Sequence, residues 1–198
     1  MMLNMARPRI FNPDEALAKA MQVFWQQGYC ATSLDDLETK LGLKRQSIYN
    51  AFGDKRSLFL KSLKLYREQS IAFVQQQLKL LQSPKAALSH LVQVLAQGAS
   101  VDGQSCGCFM ANTALELADH DPEIAQEVNR MFEQLEDCLA DVIEKGQRQG
   151  EIPNRFKSRV LAKFLLNSLN GFRILDKTQP SEAVIAKLVE VTLSVLER

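Results

Sequence analysis

The sequence has little of what marks secretion, metal catalysis or a membrane. Four cysteines in 198 residues are too sparse for a disulfide scaffold and favour a reducing compartment. The only histidines, His90 and His120, are scattered, so a His-Glu-x-x-His zinc motif is missing. A glycine-rich phosphate loop and a nucleophile elbow are missing too, which argues against an enzyme and calls for no cofactor. No stretch approaches the roughly 18 consecutive apolar residues of a membrane span, and the amino terminus lacks a basic segment leading into an apolar run. These absences predict a soluble, cytoplasmic chain with no membrane partner. Alternating Val/Ile/Thr runs and hairpin dipeptides are also scarce, so an all-α fold is expected.

What the chain does have is helix punctuation. Asn12-Pro13-Asp14-Glu15, Ser83-Pro84 and Asp121-Pro122-Glu123 each set a capping side chain before a proline, whose missing N–H costs nothing in a first helical turn. From Pro13 the apolar positions Ala16, Leu17, Ala20, Met21, Phe24 and Trp25 follow helical spacing and stop at Gly28. Ser33 and Asp36 form a capping-box pattern opening a second helix, which Gly42 ends. A short third helix is expected over about 45–51 and a long connecting one from 55 to about 81. Further helical patterns cover about 84–97, 107–118, 122–149, 158–177 and 181–197, with a loop over 100–105.

The net charge of +1 hides an asymmetry. Residues 1–65 hold ten Lys/Arg and six Asp/Glu, net +4; residues 66–198 hold fourteen and seventeen, net −3. Excess cations in one segment suit a polyanion, because Lys and Arg displace counterions condensed on phosphates.

That basic segment also contains two short helices joined by a tight glycine turn, the layout of a helix-turn-helix. Leu37, Leu41, Leu43, Ile48 and Phe52 would pack inward, leaving Lys44, Arg45, Gln46, Ser47, Tyr49 and Asn50 outward. The run Gly28-Tyr29-Cys30-Ala31-Thr32-Ser33, followed by Leu41-Gly42-Leu43-Lys44-Arg45-Gln46-Ser47-Ile48-Tyr49-Asn50-Ala51-Phe52-Gly53-Asp54-Lys55, resembles the amino-terminal signature of the tetracycline-repressor (TetR) family.

The resemblance implies a three-helix DNA-binding head over 1–54 and an effector-binding and dimerisation body over 55–198, with about nine helices in all. It further implies a homodimeric repressor that binds a near-palindromic double-stranded DNA operator and leaves it when a small-molecule effector binds. Thr32 and Ser33 would meet phosphate at a helix amino end, and Tyr49 and Lys55 match the positions that clamp backbone phosphates. Lys44, Arg45, Gln46, Ser47 and Asn50 fall on the recognition helix, where Arg pairs with guanine and Asn or Gln with adenine. Arg7 and Arg9 are candidates for a minor-groove or phosphate-contacting arm. The family usually has Gly or Ala at the position of Gln46 and often His at that of Asn50. Lys44 replaces the common capping Ser or Thr.

In the body, Phe109, Met131 and Phe172 are candidate effector-pocket residues, although an aromatic or methionine stripe at helical spacing is more often ordinary core. Asn112, Thr113 and Asn167 sit in apolar helices and need polar partners, supplied by an effector or by a neighbouring helix. Leu161, Phe164, Leu165, Leu169, Phe172 and Ile174, with Ile185, Leu188, Val189, Thr192, Leu193 and Leu196, offer two apolar faces for a four-helix dimer interface. Cys106-Gly107-Cys108 admits thiol or soft-metal sensing as an alternative to an organic effector. No third or fourth ligand is evident, so no metal site is assigned. A non-DNA-binding helical lipid or small-molecule carrier is the alternative of another class, although it leaves the basic head unexplained.

Overall fold

A computed structural model of the chain describes residues 11–98, 100–101 and 104–197; Arg7 and Arg9 lie outside them. The described residues form nine α-helices in the order α1 (Pro13–Gln27), α2 (Leu34–Leu41), α3 (Arg45–Phe52), α4 (Lys55–Lys79), α5 (Pro84–Ala96), α6 (Phe109–Leu117), α7 (Pro122–Arg148), α8 (Ser158–Asp176) and α9 (Glu182–Leu193), closed by a 3₁₀ turn at Ser194–Leu196. The loop expected over 100–105 contains a two-residue antiparallel pairing, β1 (Ser100–Val101) with β2 (Gln104–Ser105). So short a ladder leaves no signature in a sequence read for alternating strands.

The helix ends follow from local chemistry. Asn12 accepts from the N–H groups of Asp14 and Glu15, Ser83 accepts from Ala86, and Asp121 accepts from Glu123 and Ile124, each satisfying donors that a helix start leaves open. The capping box at Ser33 forms in both directions. At the other end of α7, Glu151 and Ile152 both donate their N–H to Gly146 O, and Ile152 folds back so tightly that a Cβ on Gly146 would stand 2.6 Å from its Cδ1.

The chain divides into two compact units, one ending at Ser62 and the other beginning at Leu63. The first has its core in Ala20, Phe24, Leu37, Ile48, Phe52, Leu58 and Phe59. Phe24 meets the edge of Phe59 at a centroid distance of 5.0 Å, a geometry the ring quadrupoles favour.

The second unit is built on α7 against α8. Ile124, Val128, Met131, Leu135, Leu139 and Ile143 make a continuous buried stripe along α7, with Leu161, Leu165, Leu169 and Phe172 on α8. A polar tie joins α4 to α7 in this unit: Arg67 Nε donates to Glu127 Oε1 at 2.6 Å and Nη1 to Gln134 Oε1 at 3.0 Å.

The two apolar faces expected for dimerisation do not separate as the sequence suggested. Leu161, Leu165, Leu169, Phe172, Thr192 and Leu196 are buried within their own chain, whereas Phe164, Ile174 and Leu188 are exposed together with Val160, Val184 and Val191. A helix that is apolar on more than one side gives no sign, in its own sequence, of which side meets its own chain. Among the described residues, no helix is long and apolar enough to cross a membrane.

Candidate nucleic-acid interface

The helix-turn-helix is set by one conformational requirement. Gly42 ends α2 in the left-handed region, at φ +66°, where a side chain is disfavoured even though a Cβ there would meet nothing within 4 Å. Leu43 and Lys44 then lead into α3, which buries Ile48 and Phe52. The opposite face presents Lys44, Arg45, Gln46, Tyr49 and Asn50 to solvent, with Ser47 partly covered. An eight-residue helix with one buried pair and four exposed polar or aromatic side chains, extended by the exposed Lys44 at its cap, is a surface made for contact.

Lys44 makes no capping bond, as expected of a side chain with no acceptor. The vacant role falls to α2: Glu38 Oε1 accepts the Arg45 N–H at 2.6 Å. Glu38 Oε2 also lies 3.5 Å from Arg45 Nε, and Asp35 pairs with Arg45 Nη2. The two carboxylates of α2 therefore hold the start of α3 and the guanidinium of its first residue together. Glu38 escaped the sequence reading because it lies seven positions before the group it caps, outside any local capping pattern. One turn further on, Gln46 Nε2 donates to Asn50 Oδ1 at 2.9 Å, fixing two of the candidate base readers relative to each other.

Thr32, expected with Ser33 to meet phosphate at the helix amino end, is only 1% exposed, and its hydroxyl donates to Gly28 O at 2.6 Å. The hydroxyl closes the turn after α1, where that carbonyl would otherwise lack a partner. Ser33 is exposed, and its hydroxyl accepts the Asp36 N–H. The Ser33 hydroxyl and backbone N–H both donate to Asp36 Oδ2, and these two bonds hold the Asp36 carboxyl below its ordinary range.

Lys55 opens α4 with its ammonium 4.3 Å from the centroid of the Tyr29 ring, a cation–π seat. Tyr29 is itself packed against Phe59 at 4.8 Å. The sequence reading quoted Tyr29 in its signature but gave it no part in the site. The ring restrains a flexible cation beside the recognition helix.

The second unit scatters the remaining candidates. Phe109, Thr113, Met131 and Phe172 are buried, and Asn112 donates its Nδ2 to Cys106 O at 2.9 Å, a partner within the fold itself. Asn167 is exposed on α8, so the expectation that its amide needs a buried partner does not hold. Cys106 and Cys108 are 5% and 7% exposed, and among the described residues no three His, Cys, Asp or Glu side chains could hold a metal ion together. A cleft of about 890 Å³ opens elsewhere in this unit, lined by Gln93, Gln97, Asp176, Glu182, Ile185 and Val189 among others; none of the six candidates lines it.

Comparison with known proteins agrees with this geometry. Residues 16–61 match the family of bacterial regulatory proteins of the tetR type, and residues 84–190 match the tetracyclin repressor-like C-terminal domain. The chain is 33% identical over 194 residues to the HTH-type transcriptional regulator YezE of Bacillus subtilis, covering 98% of this chain and 100% of the other. It is 32% identical over 188 residues to the HTH-type transcriptional repressor ComR of Escherichia coli, covering 94% and 90%. Among solved structures, the TetR family regulator CifR, as a cysteine mutant with 26-base-pair operator DNA, superposes with a TM-score of 0.83 at 25% identity over 94% of this chain and 98% of that one. A family of regulators also removes the carrier reading, which had no account of the basic head. With both units matched and the exposed recognition helix in place, the chain belongs to the TetR family and is a DNA-binding transcriptional regulator, not an enzyme.

Proposed function

We propose that the protein is a homodimeric repressor that binds a near-palindromic operator through α3 and is released by a small-molecule effector bound in the segment 55–198. The observation behind the DNA half is the row Lys44, Arg45, Gln46, Tyr49 and Asn50, exposed along α3 above the buried Ile48 and Phe52. Residues 1–54 are the DNA-binding segment in this reading. Lys55 and Tyr49 clamp phosphates, while Arg45, Gln46, Ser47 and Asn50 meet base edges in the major groove. Support for repression comes from relatives named as repressors in Escherichia coli.

The dimer follows from geometry and from surface. Two recognition helices must reach successive major grooves of a symmetric site, and Val160, Phe164, Ile174, Val184, Leu188 and Val191 leave an apolar tract exposed on α8 and α9. An apolar tract of this kind marks a contact surface. Release requires an effector that binds one conformation more tightly than the other.

A salt-titrated fluorescence-anisotropy series on the operator and on single-base variants tests the DNA assignment. Lys55→Ala and Tyr49→Phe should weaken binding to all sequences alike, with Lys55→Ala lowering the salt slope by about one. Asn50→Ala should cost about 1–3 kcal/mol, concentrated at one base position. If Asn50→Ala binds every sequence as the parent does, the base-reading role is wrong.

A further inference from the structure

In the second unit one guanidinium N–H group is left without an acceptor by the fold. Arg173, on the last turns of α8, has its Nη1 fully enclosed and without a hydrogen-bond acceptor, although the residue as a whole is partly exposed. Arg67 in the same unit shows the contrast, with a carboxylate at 2.6 Å and a glutamine at 3.0 Å. An enclosed guanidinium N–H without an acceptor is strongly disfavoured, and any acceptor that reaches it gains accordingly.

The start of α6 lies beside the end of α8 that carries Arg173. Gly107 bends in the left-handed region, at φ +67°, and packs on the end of α8: a Cβ there would stand 3.1 Å from both Arg173 O and Lys177 Cε. This turn leads into α6, nine residues long, whose cap Cys108 supplies no side-chain capping bond. The first N–H of α6, that of Phe109, donates to Tyr66 Oη at 3.4 Å, and Tyr66 Oη is 3.8 Å from Cys108 Sγ. Burial pushes the Tyr66 phenol above its ordinary range, Cys108 adds to the rise, and the charge of Arg173 opposes it. The phenol remains neutral, with its one O–H donated to Cys108 Sγ.

We propose that Arg173, the Tyr66 hydroxyl and the amino end of α6 form an anion-recognition point, and that the effector carries a carboxylate that docks there. The guanidinium fork matches two carboxylate oxygens, and the helix start adds positive potential. This inference rests on the effector reading above and specifies its chemistry.

Hexanoate and benzoate serve as probes, with hexanamide and benzamide as neutral controls. Thermal shift and calorimetry on the full chain read binding, and operator anisotropy reads release. Both carboxylates should raise the melting temperature saturably while the amides do not. Arg173→Met should weaken carboxylate binding about ten- to a hundredfold, and Arg173→Lys should retain part of it. Arg173→Met should itself melt no lower than the parent, because it removes an enclosed nitrogen that has no acceptor; a purely structural arginine would lower it. Amides acting like carboxylates, a parent protein with no saturable response, or Arg173→Met responding as the parent does would each overturn the anion site. Carboxylates that bind through Arg173 without releasing the operator would uphold the anion site and refute the effector reading. Release by a neutral compound, with no carboxylate binding, would do the reverse.

Discussion

Removing Arg67 from the tie between α4 and α7 should destabilise the second unit, by an amount that its surroundings set. The side chains of Arg67 and Glu127 are 11% and 12% exposed, so Arg67→Met strands a carboxylate that is largely shut from water. Breaking a fully buried pair costs about 3–5 kcal/mol. Here Arg130 Nη1 remains 3.2 Å from Glu127 Oε2, a half-exposed partner that softens the loss, and methionine keeps most of the aliphatic volume. The expected cost is about 2–3 kcal/mol, a fall in melting temperature of roughly 4–12 °C for a chain of this length. Replacing both partners, as Arg67→Met with Glu127→Leu, removes the stranded charge and should return stability to within about 1 kcal/mol of the parent. Circular dichroism melts of the two single variants, the double variant and the parent complete the cycle. If the single variant loses less than about 0.5 kcal/mol, the pair behaves as a surface pair. If the double variant falls by the sum of the singles, the two side chains are not coupled. Either result would refute the argument from burial.

Thr32→Val should cost about 1–2 kcal/mol by leaving Gly28 O short of a donor, with operator affinity unchanged; a loss of affinity shared by all sequences would make the Thr32 hydroxyl a phosphate contact. Ser33→Ala should cost about 1 kcal/mol through loss of the cap, seen in the same melts. Asp36 and Asp54 both have carboxyls held below the ordinary 3.8 by hydrogen bonds, from Ser33 and Ser57 respectively. Their contribution is therefore present above that ordinary value and lost as pH falls through the depressed folded values. Melts across the acid range should show the first unit weakening there, with Asp36→Asn flattening the profile; an unchanged profile would discount the bond to Ser33. Val191→Glu, at a position 65% exposed, should leave the monomer fold intact and shift sedimentation equilibrium toward the single-chain mass. An unaltered dimer mass would place the interface elsewhere.

The parts of this protein that depend on neighbours along the chain were legible from local residue order alone. Caps followed by proline placed the starts of α1, α5 and α7, a serine three residues before an aspartate opened α2, and Gly42 turned it into α3, because these bonds close within one helical turn. The same locality made the inward Ile48 and Phe52 and the outward row on α3 legible as period alone. Tertiary structure decided which groups those side chains actually meet. Glu38 reaches forward to cap Arg45, Thr32 turns inward to Gly28, Lys55 rests on Tyr29, and Asn167 faces solvent although it sits in an apolar helix. The split of α8 and α9 between chain interior and exposed tract was likewise invisible, as was the enclosure of Arg173. Periodicity states that a helix has an apolar side, but the partner of each side chain is fixed only when helices distant in sequence pack and exclude water around it.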